Sequence, residues 1–289
     1  MFSKSIASVL VSTVFAAGAA SAAASAPLTL EVFNPGEAAI FPVASVLVAG
    51  KHDAVLIDAQ FSRAEAQKLV EKIRASGKKL TTVYISHSDP DFYFGLDVIK
   101  AAFPQAKIVA TPETVAEIRR KADAKVAYWG PILKDNAPQG IVMPEALKGK
   151  RISLEGQSLD IAGPTPARTY VWIPSIKAVV GGVVLFGNLH VWTADTQSLQ
   201  SRQDWLKTLD GIAALKPATV VPGHFKVGSP LTPESIAFTR DYLVTFEAET
   251  AKAANAAALI EAMKMRYPKL GLDGALETSA KVAKGEMQW

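Results

Sequence analysis

Apolar residues recur along this chain in two rhythms, and the switches between them mark its elements. Ala38 to Ala49 is rich in Val, Ile and Phe and reads as a strand, followed by a turn at Gly50-Lys51-His52-Asp53 and a second strand, Ala54 to Ile57. Ser62 then opens a helix whose apolar positions Ala66, Leu69, Val70 and Ile73 fall at helical spacing. Ser62 with Glu65 three residues on forms a capping box, and Gly77 ends the helix. A buried strand, Leu80 to Ile85, runs into Ser86–Phe94 and a helix to Ala102. Ile108 to Ala110 is a short strand, and Thr111-Pro112 opens another helix to about Ala124. Tyr128 to Leu147, with a Trp and three Pro, reads as irregular.

Short strands then resume at Arg151–Leu154, Ser158–Ala162, Thr169–Ile173 and Ala178–Val180. Ser198 to Leu215 is helical, with Trp205, Leu206, Leu209 and Ile212 on one face. Ala218–Val221 is an apolar strand ending at Pro222-Gly223-His224, Thr232 to Met265 is helical, and a Pro/Gly-marked tail follows. Strands in both halves with helices between them predict two packed sheets flanked by helices, an α/β sandwich. The organisation read from this is a sandwich domain over residues 27–230 and a C-terminal helical extension, residues 231–289, packed on the same domain.

The first residues read differently. Met1 to Lys4 is a short basic start, Ile6 to Ala20 is apolar, and Ala20-Ser21-Ala22 supplies small residues for cleavage. Residues 1–22 are therefore expected to be a signal peptide, cut after Ala22 or, as second choice, Ala24. The run falls short of a spanning helix, so a periplasmic or secreted protein without stable membrane insertion is expected.

Composition narrows the chemistry. The chain has 289 residues, 49% of them hydrophobic and 20% charged, ample for a folded core. It contains no cysteine, which excludes disulfides, iron–sulfur clusters, thiolate zinc sites and a cysteine nucleophile. Its 31 basic and 27 acidic residues leave a net charge of +4, scattered over short runs such as Arg119-Arg120-Lys121, so no nucleic-acid partner is expected. No G-x-S-x-G elbow or phosphate-binding glycine loop occurs.

Three of the four histidines stand where strands end. His87, Asp89 and Asp91 alternate along an extended segment, so their side chains leave on one side. An imidazole and two carboxylates there suit a divalent cation; equally, one carboxylate suits the cap of the next helix, with Pro90 in its first turn. One carboxylate is expected to cap and at least one to face a cleft. His190 and His224 also follow strands, where α/β proteins place their chemistry. His52, in a polar turn, reads as surface.

With these motifs in this order, the chain resembles the metallo-β-lactamase superfamily. The matching features are Leu56-Ile57-Asp58, the strand into His87-Ser88-Asp89-Pro90-Asp91-Phe92, Gly163-Pro164-Thr165-Pro166, the strand into Gly181-Gly182, and Val220-Val221-Pro222-Gly223-His224. The resemblance implies a four-layered αββα fold with a metal site at the edge where the sheets meet. Against the family signature H-x-H-x-D-H, His87 and Asp91 match, whereas Asp89 and Phe92 replace histidines. Pro164 stands at the third ligand histidine and Gly182 at the bridging aspartate, while the final histidine is kept as His224.

The resemblance thus implies at most one divalent metal, Zn or else Mn or Fe, held by His87, Asp89, Asp91 and His224, and none if the site is degenerate. The first reading is an exported hydrolase of an ester, lactone or related small substrate, with Asp91 and His190 in catalytic roles and a mononuclear or rebuilt metal site. Intact β-lactamase activity is not expected from this ligand set. The alternative is a non-catalytic relative that binds a small molecule or a partner.

Overall fold

The structure, a computed structural model, describes Met1 and residues 26–289; the signal peptide expected at residues 1–22 lies, apart from Met1, outside the described residues. The chain opens with β1 (Thr29–Phe33), β2 (Ser45–Ala49) and β3 (Asp53–Ile57), an antiparallel ribbon. Helix α1 (Arg63–Ala75) follows and leads to β4 (Lys79–Ile85). Short helices α2 (Pro90–Tyr93) and α3 (Leu96–Ala102) precede β5 (Lys107–Ala110), long helix α4 (Pro112–Leu133) and β6 (Glu145–Ala146). These six strands form one sheet in sequence order, parallel from β3 onward.

The second half contributes β7 (Arg151–Leu154), β8 (Gln157–Ala162), β9 (Tyr170–Ile173), β10 (Ala178–Val180) and β11 (Phe186–Gly187). Helix α5 (Leu199–Ala214) comes next, then β12 (Thr219–Val221), β13 (His224–Phe225), α6 (Glu234–Lys252), α7 (Ala256–Arg266) and α8 (Asp273–Ala283). The second sheet has the order β12-β10-β9-β8-β7, and β11 pairs with β13 in a small ribbon.

Strand alternation explains the layering. On β2 and β3, Val46, Val48, Val55 and Ile57 pack with Leu159, Ile161, Val171 and Val180 of the second sheet in one core. Their neighbours Leu47, Ala49, Ala54 and Leu56 face the opposite way, into a second core with α1 residues Leu69 and Ile73. The result is the expected helix–sheet–sheet–helix sandwich.

Several expectations need correction. Regular strand occupies only Ser45–Ala49 of the expected Ala38–Ala49, and β1 is an element that the hydrophobic pattern does not announce. Helix α4 continues through the stretch read as irregular, because Trp129 and Leu133 extend the buried stripe of Ile118 and Ala122. Pro131 lies in its last turn, where its missing N–H gives up one bond to the Ala127 carbonyl and little helix remains beyond it to be disturbed. The expected helix Thr232–Met265 is two helices: Asn255 takes an extended backbone and its side chain accepts the Ala258 N–H, starting α7 afresh. The Pro/Gly-marked tail contains α8.

The capping box at α1 forms as expected, with Glu65 N–H donating to Ser62 Oγ and Ser62 N–H to Glu65 Oε2. Ser62→Ala is expected to cost about 1 kcal/mol, read as a lower urea midpoint at unchanged slope.

Candidate functional site

The site begins where β4 ends. Asp58, in a left-handed backbone conformation at φ 63°, accepts the Ser86 N–H at 2.8 Å and the Ser86 hydroxyl at 2.7 Å. Burial raises the Asp58 carboxyl from 3.8 to about 7, against the pull of those hydrogen bonds. Thr169, just before β9, donates its hydroxyl to the Ser86 carbonyl at 2.9 Å. The segment from His87 to Phe92 is thereby pinned to both sheets. Asp89 occupies the N-cap position of α2 with Pro90 in the first turn, yet its side chain makes no cap bond. The expected cap is not formed; Asp89 and Asp91 both line the neighbouring pocket.

The four expected ligands arrive as two pairs. His224 Nε2 lies 2.7 Å from Asp91 Oδ2, with both side chains buried. His87 Nδ1 lies 3.3 Å from Asp89 Oδ2 and accepts the Asp89 backbone N–H at 3.2 Å. Phe92 packs edge-on to both imidazoles, its ring centroid 5.4 Å from that of His87 and 5.5 Å from that of His224. Phe186 stacks on His224 at 5.0 Å. Burial, with help from the Arg168 charge, lowers His87 to about 3, so its ring is neutral at ordinary pH. Burial and the charge of Asp91 raise Asp89.

This geometry does not fit the metal centre that the resemblance implies. A metal-bound imidazole offers one ring nitrogen's lone pair and donates its other N–H. In neutral His87 the Nδ1 lone pair takes the Asp89 N–H, which places the proton on Nε2 and leaves no lone pair for a cation. His224 directs Nε2 at a carboxylate, and its Nδ1 is buried with no partner among the described residues. Among the described residues, no three His, Cys, Asp or Glu side chains gather as a metal shell.

The replaced positions agree. Pro164 is exposed on the loop between β8 and β9. Gly182 does not point at the site: at φ +85°, a Cβ there would meet the Thr169 carbonyl oxygen at 2.1 Å. The residue of this strand exit that lines the pocket is Val183. Gly182, expected to stand at the bridging carboxylate, therefore offers the pocket no side chain, and its neighbour Val183 offers an apolar one.

His190, expected as a catalytic group, is held elsewhere. Its Nδ1 is 3.0 Å from the Tyr242 hydroxyl and its Nε2 is 3.9 Å from Asp273, so it joins α6 and α8 to the strand exit. It is not among the residues that line the pocket beside Asp91 and His224.

Groups far apart in sequence complete the pocket. Lys125 of α4 places Nζ 3.8 Å from Asp89 Oδ1 and 4.9 Å from the centroid of the Trp289 ring. Asp195 accepts the indole N–H of Trp192 at 2.6 Å and that of Trp289 at 3.0 Å. Phe41 and Trp129 add two further walls, their rings at 79° to each other. Arg168 forms a backbone bridge with His87 and stacks its guanidinium 4.8 Å over Trp205. Its Nη2 is buried without a partner among the described residues, and burial lowers its pKa. No local motif marks Lys125, Arg168, Asp195 or Trp289; only the fold brings them together.

Comparison with known proteins accords with the geometry of the scaffold. A profile of the metallo-beta-lactamase superfamily matches residues 39–224. No curated protein matches the chain. Among solved structures, a metallo-beta-lactamase family protein from Thermus thermophilus is similar at TM-score 0.63 and 16% identity, over 89% of this chain and 91% of that one. A metallo-beta-lactamase from Pontibacter korlensis aligns at TM-score 0.56 and 17% identity, over 76% of this chain and 96% of its own. The DIM-1 metallo-beta-lactamase aligns at TM-score 0.52 and 18% identity, over 76% and 99%. At such identities the structural likeness speaks for the fold, and the profile, spanning well over half the sequence, speaks for descent: the chain belongs to the metallo-beta-lactamase superfamily.

Proposed function

We propose that this chain is a small-molecule-binding member of the superfamily whose pocket works without a resident metal. The observation that carries this reading is the direct Asp91–His224 hydrogen bond of 2.7 Å. It joins two of the groups that a metal would have to separate and share. Phe92, Phe186 and Val183 put apolar surface around that pair. What remains is a pocket with aromatic walls and a few placed polar groups, the usual make-up of a small-molecule site.

The hydrolase reading with Asp91 and His190 in catalytic roles finds less support. His190 is turned to Tyr242. His224 has one ring nitrogen on Asp91 and the other without access to a substrate, whereas a general base must reach the proton that it takes.

Thermal unfolding with and without excess zinc tests the proposal. A site filled at 100 times its Kd adds about 2.7 kcal/mol, which for a chain of this size raises Tm by about 5 °C. The expected result is no rise, and no fall after chelator treatment. A zinc-dependent rise that disappears in His224→Ala overturns the reading. So does turnover of an aryl ester or lactone that is lost in Asp91→Asn.

A further inference from the structure

We infer that the pocket recognises an organic cation, a compact ammonium headgroup on an apolar stem, and that Trp289 is one of its recognition residues. This rests on the ligand-binding reading above and names the chemistry of the ligand.

The walls make the first argument. Phe41, Trp129, Trp192 and Trp289 all line the pocket. Phe41 meets Trp129 at 79° and Trp192 at 90°, and Trp192 meets Trp289 at 70°. Near-perpendicular neighbours form the sides of a box. Aromatic faces carry the negative end of the ring quadrupole, and boxes of this kind bind alkylammonium groups.

Charge makes the second. Asp89, Asp91 and Asp195 line the same pocket, against the single ammonium of Lys125. Asp195 holds both Trp192 and Trp289 by their indole N–H groups, so one carboxylate sets the placement of two walls and adds its charge to theirs. His224 pairs with Asp91 and Lys125 stands beside Asp89, so Asp195, whose partners are two neutral indole N–H groups, is the carboxylate that a ligand's positive charge would meet.

The chain already seats a cation of its own here. Lys125 Nζ stands 4.9 Å from the Trp289 ring centroid and 3.8 Å from Asp89. Its side chain comes from α4, whereas Trp289 follows α8. Lys125 therefore samples the field that a ligand's ammonium would feel and competes with it.

The experiment is a calorimetric and tryptophan-fluorescence titration of the whole chain with benzyltrimethylammonium, set against neopentylbenzene, its neutral carbon isostere. Saturable binding of the cation is expected, about tenfold tighter than that of the isostere. Trp289→Ala should weaken the cation about tenfold with an unchanged far-ultraviolet circular dichroism spectrum. Lys125→Met should tighten it several-fold, because the competing ammonium is gone. Equal or tighter binding of the isostere overturns the cation proposal and leaves the ligand-binding reading standing. Binding of neither probe also overturns it. Binding of neither, joined to a zinc-dependent rise in Tm, overturns the ligand-binding reading as well.

Discussion

Gly182→Asp, the change that would restore a carboxylate at the sequence position aligned with the family's bridging aspartate, is expected to cost the fold and to yield no metal site. Gly182 sits at φ +85°, a conformation that costs an L residue about 1–2 kcal/mol. A Cβ would stand 2.1 Å from the Thr169 carbonyl oxygen and 3.2 Å from its carbon. That neighbour is backbone, pinned by Thr169 Oγ1 to Ser86 and to Tyr84, so it cannot yield as a flexible side chain would. Gly182 in turn packs on Gly223, where a Cβ would meet the Gly182 oxygen at 2.1 Å. Strain plus overpacking at this junction is expected to destabilise by about 4 kcal/mol or more, near the limit of what one substitution does. Gly182→Ala should show most of the same loss, since the first carbon causes it. Val183→Ala only trims a side chain facing the pocket and should cost roughly 1–2 kcal/mol. Chemical denaturation of the three variants checks the ranking; a well-folded Gly182→Asp protein would show that the junction is looser than described.

The second large effect is expected at Asp58. Its carboxylate accepts both Ser86 donors at 2.8 and 2.7 Å. Asp58→Ala leaves two buried donors without an acceptor and puts alanine at φ 63°, where aspartate is better tolerated. A loss of about 3–4 kcal/mol at neutral pH follows. The gap should depend on pH. Burial raises the carboxyl from 3.8 in the unfolded chain to about 7 in the fold. Between those values the native state holds a proton that the unfolded chain has released. The stability linked to that proton is complete below the unfolded value and is lost as pH rises through about 7. The wild type should therefore exceed Asp58→Ala by about 2–3 kcal/mol more at about pH 5 than at about pH 8. Urea unfolding at the two values measures the difference directly, because titrations shared by both proteins cancel. A gap that widens with rising pH would contradict the assignment.

Much of the scaffold was legible because local rules and tertiary packing agree there. The Ser62–Glu65 box, the stripe of Ala66, Leu69, Val70 and Ile73, and the buried strand Leu80–Ile85 each carry their signal within a dozen residues. Where the reading failed, a local signal was outweighed. Pro131 and its glycine neighbour suggested a loop, yet the buried Trp129 and Leu133 carried α4 past Ala124. Uniform helical spacing hid the break at Asn255, which is made by a single side-chain cap.

The site divides along the same line. Asp89, Asp91 and His224 were readable as pocket residues because strand ends deliver them. That His87 and His224 spend their ring nitrogens on Asp89 and Asp91, and not on one shared centre, was not readable, since spacing fixes neither tautomer nor hydrogen-bond partner. His190 carried the right position relative to a strand, but Tyr242, 52 residues on, claims it. Gly182 and Val183 differ by one step along the backbone, and only the conformation shows which of them faces the pocket. Lys125, Asp195 and Trp289 meet across three separate parts of the chain, so no motif could announce them.

The central claim is that Asp91 and His224 bond to each other in place of a metal, and elemental analysis by plasma mass spectrometry tests it most directly. The chain would be purified without chelator or affinity metal, then dialysed against excess zinc, manganese and iron and desalted. The account predicts a content of each metal far below one per chain, unchanged in His87→Ala and His224→Ala. About one equivalent of a single metal, lost in either variant, would contradict it and return the pocket to the superfamily's metal chemistry.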